Sequence, residues 1–106
     1  MTGYSVQITD IALLDMEAIY DYISGQLCAP ETALKQYDRI AGAIEALSFY
    51  PEKFRLFESE PEYSRGIRLC PVDNYSVIYT VSNYTVTVLR VLYSASDIIM
   101  RLRDAQ

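Results

Sequence analysis

The chain has 106 residues, a net charge of −5, ten tyrosines and no histidine. This length makes one domain with one core. No apolar run reaches the roughly 18 residues of a membrane span, and no basic segment leads into an apolar leader, so a cytoplasmic location with no membrane contact is expected. Without histidine, proton transfer near neutral pH falls to Arg, Lys, Tyr or a perturbed carboxylate, which excludes most hydrolase designs.

Two cysteines, Cys28 and Cys70, stand far apart with no histidine to join them, so there is no zinc ligand set and no redox pair. No metal or cofactor is expected, and both thiols read as buried small hydrophobes. Charge is split along the chain. Residues 1–64 carry four basic side chains against eleven acids, a balance of −7, and residues 65–106 carry five arginines against three aspartates, a balance of +2. The broad basic footprint of a protein that grips phosphate backbones is missing, so direct sequence-specific DNA binding is not expected.

In chain order, Tyr4 to Thr9 alternates apolar and polar residues as a half-buried strand does. Thr9 or Asp10 can cap the helix that follows to about Leu27, in which Ala12, Met16, Ile19 and Ile23 form the apolar stripe. Gly25 weakens its end. Pro30 suits the first turn of a second helix, whose stripe of Ala33, Tyr37, Ile40, Ile44 and Leu47 runs up to Tyr50 and is stopped by Pro51. The short link makes the two helices an antiparallel hairpin.

The segment Pro51 to Arg65 has no period and reads as a solvated loop, acidic at Glu52, Glu58, Glu60 and Glu62 and anchored by Phe54, Leu56 or Phe57. Three strands follow, Gly66–Pro71, Tyr75–Val81 and Thr85–Tyr93. Their turns fall at Val72-Asp73-Asn74 and around Ser82-Asn83. Simple alternation puts Tyr75, Val77, Tyr79, Val81, Val86, Val88 and Arg90 on one face. Leu89, Val91 and Tyr93 then join Ile78 on the other, and the last strand is central or covered twice. On that count Arg90 sits among tyrosines, where a cation–π and hydrogen-bonded cluster with Tyr75 and Tyr79 is one use for it. A short helix with Ile98, Ile99 and Leu102 as its apolar face closes the chain, with Ser94 or Ser96 as cap and Asp97 near its positive end. The expected fold is α+β, a small antiparallel sheet in the order βααβββα with the helical hairpin packed on one face.

This order, together with the runs MEAIYDYI, APETAL, AIEALSFYPEKF, GIRLCPVDNYSVIYTV and VTVLRVLYSASDI, resembles the RelE/ParE family of toxins from type II toxin–antitoxin (plasmid stabilisation) modules, across nearly the whole of residues 1–106. The resemblance implies a growth-inhibiting toxin of the ParE-like branch that binds a protein target, DNA gyrase by analogy, and is neutralised by a cognate antitoxin. A RelE-like ribosome-dependent mRNA endonuclease, or an inactive module that only captures an antitoxin, are the alternatives. If the chain is an endonuclease, the resemblance assigns catalysis to Arg68, Arg90 and Tyr93, the arginines stabilising charge at the scissile phosphate. It also makes Tyr75, Tyr79 and Asp97 site residues, while Ser96 replaces the arginine that usually precedes that acid. The charge split directs an acidic, apolar antitoxin tail to Arg65, Arg68, Arg101 and Arg103.

Overall fold

The computed structural model describes residues 3–104. Four strands, β1 (Ser5–Ile8), β2 (Arg68–Val72), β3 (Tyr75–Ser82) and β4 (Thr85–Tyr93), form one sheet in the order β1-β4-β3-β2. The last three make the expected antiparallel meander, and β1 adds to it parallel to β4. Helices α1 (Asp10–Asp21) and α2 (Pro30–Ala46) form the hairpin, and α3 (Ile98–Asp104) ends the described chain. Any strand in the middle of such a sheet, covered on both sides, must be apolar on both faces, and β4 is.

Local chemistry explains where the helices begin and stop. The Thr9 hydroxyl accepts the Ala12 amide at 3.2 Å and donates to the Leu89 carbonyl at 3.2 Å, so one side chain caps α1 and ties it to β4. Pro30 begins α2. The first helix ends sooner than its stripe suggests, because Tyr22–Gln26 widens into a π-helical turn around Gly25. Beyond it Cys28 takes a left-handed φ of 52° and is exposed, so it is not the buried thiol expected, whereas Cys70 is buried.

The sheet separates two cores. Ala12, Met16, Ile40, Ile44 and Leu47 of the hairpin pack on Val77, Tyr79, Val86, Val88 and Val91. On the other face Ile67, Ile78, Leu92 and Leu102 form a smaller cluster under α3. Each fully buried Ile or Leu contributes about 1.5–3 kcal/mol, so the hairpin face carries most of the stability.

A β-bulge corrects the expected faces of β4. Ile78 pairs with Arg90 but Tyr79 pairs with Val88, so Leu89 is an extra residue and alternation restarts after it. Val91 and Tyr93 therefore lie with Tyr75 and Val77 on the hairpin face, and the ring centroids of Tyr75 and Tyr93 are 5.8 Å apart, edge to face. Arg90 is not among the tyrosines. The β3–β4 turn is also one residue later than expected, at Asn83-Tyr84, with φ values of 53° and 60° as a type I′ turn requires.

The segment after α2 is not simply a solvated loop. Its Leu56 bridges Arg68, and the Leu69 amide donates to the Arg55 carbonyl at 3.2 Å, so it lines the start of edge strand β2. Pro71 blunts the rest of that edge. Glu62, expected in solvent, is 1% exposed. Its carboxylate accepts two hydrogen bonds from Arg103 at 3.0 Å each and one from the Ser59 hydroxyl at 2.9 Å, which fastens the segment to α3.

Arg103 above all, with Ser59, lowers the Glu62 carboxyl from 4.5 to about 2 against the opposing effect of burial. A lowered carboxylate pKa stabilises the folded state fully above the unfolded value and stops doing so as pH falls through the folded one. Thermal unfolding at a series of pH values should find Glu62→Gln less stable than the parent at pH 7. The gap should narrow between about pH 4.5 and 2, the window set by those two pKa values; a gap constant with pH would mean the carboxylate charge is not what stabilises the clasp.

Candidate functional site

Beyond Val88 the last strand continues without a neighbour on the β1 side, because β1 ends at Ile8, the partner of Val88. Asp15 of α1 fills the start of this open lane. Its carboxylate accepts the Val91 amide at 3.0 Å and the Arg90 guanidinium at 2.7 and 2.9 Å, and the same guanidinium donates to the Arg101 carbonyl at 3.0 Å. Both side chains are 11% exposed. One ion pair thus joins α1, β4 and α3, and Asp15 substitutes for the strand that is missing there.

Beside this knot opens a cleft of about 580 Å³. Ala18, Ile19, Tyr22 and Leu27 of the hairpin form one wall, Tyr75, Val91 and Tyr93 the floor, and Arg101 the rim. Tyr22 and Tyr93 are both about half exposed. The cleft is continuous with the outer face of α1, where Ile11, Leu14, Ala18 and Tyr22 follow one another at helical spacing and are exposed. It is therefore an apolar, aromatic groove with one cation at its edge.

The site residues named from sequence fall into separate places. Tyr75, Tyr93 and Arg101 meet in the cleft. Arg90 touches its margin through Asp15. Arg68 is elsewhere, its guanidinium bound to the carbonyls of Glu52 at 3.1 Å and Phe54 at 2.7 Å. It pairs with Tyr79, whereas Tyr93 pairs with Tyr75, four residues along β3, so Arg68 and Tyr93 lie roughly 13 Å apart along the strand direction. Tyr79 is buried and donates to the Pro51 carbonyl; burial pushes its phenol up to about 12, so it holds its proton at neutral pH. Burial likewise raises Tyr75.

Asp97 caps α3 by accepting the Met100 amide at 3.2 Å, and the Ser96 hydroxyl donates to the Tyr93 carbonyl at 2.6 Å. Arg103 is occupied by Glu62. Arg65 lies in the turn before β2, where its amide donates to the Pro61 carbonyl. Of the arginines expected to meet a partner, Arg101 is the one at the cleft. Asp15 and Tyr22 were missed. An arginine inside an otherwise apolar strand needs a carboxylate, and Tyr22 continues the outer row of α1; both signals lie in the sequence.

Comparison with solved structures gives the same fold. A chain of the chromosomal ParDE toxin–antitoxin system from P. aeruginosa superposes with a TM-score of 0.71 at 27% identity, over 85% of this chain and 95% of that one. A chain of the RelBE complex from Mycobacterium tuberculosis gives 0.62 at 21% identity over 91% and 97%, and one of the archaeal RelE–RelB complex from Pyrococcus horikoshii gives 0.57 at 20% over 90% and 98%. No curated protein sequence matches significantly. The class is the ParE/RelE-type toxins of type II toxin–antitoxin systems. Within it, residues 6–98 match the family described as ParE toxin of type II toxin-antitoxin system, parDE, and the chain belongs to that family.

The Asp15 knot has a measurable consequence. Asp15→Ala leaves Arg90 uncompensated and the Val91 amide without an acceptor, and should cost about 3 kcal/mol in urea unfolding. Replacing both partners, Asp15→Leu with Arg90→Met, should recover the part due to the uncompensated arginine and leave the part due to the unpaired Val91 amide. Equal stability of parent and Asp15→Ala would show that the pair does not hold α1 to β4.

Proposed function

We propose that this toxin acts by binding a protein target, DNA gyrase by family analogy, and that a cognate antitoxin neutralises it by occupying its surface. The observation that carries this reading is the divergence of Arg68, Arg90 and Tyr93. One arginine binds loop carbonyls beside β2, the other is paired with Asp15, and the tyrosine packs on Tyr75. A metal-free nuclease needs such groups converging within hydrogen-bond reach of one phosphate. The exposed apolar row of α1 and the aromatic cleft beside it instead offer area for a protein.

Induced expression tests the reading. Growth should stop with induction of the DNA-damage response, and mRNA 5′ ends mapped genome-wide should be unchanged. New cuts in ribosome-bound mRNA that disappear with Tyr93→Phe or Arg68→Ala would establish the endonuclease instead. Unimpaired growth at full expression would leave an antitoxin-capturing module.

A further inference from the structure

The open lane beside β4 has a defined hydrogen-bonding pattern. Residues 90 and 92 pair with β3, and the Ser94 amide donates to the Asn74 carbonyl, so the backbone groups of Val91 and Tyr93 point the other way, into the lane. Two of those four groups are taken. The Val91 amide donates to Asp15, and the Tyr93 carbonyl accepts from the Ser96 amide at 3.0 Å and hydroxyl at 2.6 Å. The Val91 carbonyl and the Tyr93 amide have no partner among the described residues.

A free carbonyl at one residue and a free amide two residues later bracket Leu92. This is the acceptor and donor set that a single residue of a parallel strand satisfies, by giving its N–H to the first and accepting from the second. An antiparallel partner opposite Val91 would need the amide that Asp15 holds. β1 already runs parallel to β4, so the vacancy has the direction of the strand that stops short of it.

We infer that the cleft receives an extended segment of a partner protein, which adds to the sheet parallel to β4 at Leu92 and carries a carboxylate to Arg101. The charge complementarity is local. Of the two charged residues that line the cleft, Asp15 is neutralised by Arg90, and the Arg101 guanidinium forms no ion pair among the described residues. Tyr22, Leu27 and Tyr93 supply apolar and aromatic surface for the segment's alternate side chains. The identity of the segment as an antitoxin tail rests on the function proposed above; the mode of addition does not.

The test uses the full chain, labelled with 15N, and the blocked pentapeptide acetyl-Asp-Val-Glu-Val-Asp-amide. On titration the Tyr93 amide should shift downfield and its hydrogen exchange should slow about tenfold. In a set of peptides N-methylated at one position each, binding should be lost at one position only, because only one peptide N–H reaches the Val91 carbonyl. Arg101→Glu should weaken the peptide about tenfold, and a lysine-for-acid peptide should recover binding to that variant. Shifts confined to another surface, tolerance of every N-methyl group, or no binding at millimolar peptide would overturn the inference. Growth arrest on induction is scored separately, so a toxic chain without strand addition refutes this mode alone, and strand addition to a harmless chain refutes toxicity alone.

Discussion

The Asp15–Arg90 pair is the contact on which the arrangement of the molecule turns. A four-residue β1 cannot cover a nine-residue β4. Where it stops, a buried strand would be left with unpaired backbone and an arginine in an apolar setting, each expensive to bury alone. Asp15 answers both needs with one carboxylate. The Arg90 guanidinium then has a remaining N–H for the Arg101 carbonyl, which brings α3 alongside. Hairpin, sheet and terminal helix are thereby fixed relative to one another, and the cleft exists because the knot fills only the first part of the lane.

The two faces of the sheet are held by different means. The hairpin face is closed by apolar area, with Ala12, Met16, Ile40 and Ile44 all at 2% exposure or less. The opposite face has fewer buried side chains, and its helix depends on charge, through Glu62 to Arg103 and Arg90 to the chain itself. Burying a glutamate is tolerable only with its full complement of donors, and Glu62 has them.

Much of this architecture was legible in the sequence because it is written in local periods. The stripes of α1 and α2, the Thr9 cap, Pro30 and the three-strand meander all follow from spacing and from residues whose geometry is restricted. What was not legible depends on distant partners. Nothing near Glu62 announces Arg103, and the parallel pairing of β1 leaves no local mark. The bulge at Leu89 is hidden because β4 is apolar on both faces, so a shift of register leaves the pattern of hydrophobic residues unchanged. That single residue decides where Tyr93 and Arg90 point, which is why simple alternation set Arg90 among the tyrosines and Tyr93 on the opposite face, and why the Asp15 partner of Arg90 was not foreseen.

The parallel seam between β1 and β4 also governs how the chain reaches this structure. Thr9 meets Leu89 across 80 residues, and Asp15 meets Arg90 across 75. Loop closure over such a span is slow, while the α1–α2 hairpin and the β2–β3–β4 meander can each form from neighbours in sequence. Two locally built halves must therefore dock before β4 acquires its second neighbour. Until they do, an apolar strand edge stays open to other chains, so the rate of that docking sets how long the nascent protein is exposed to misassembly.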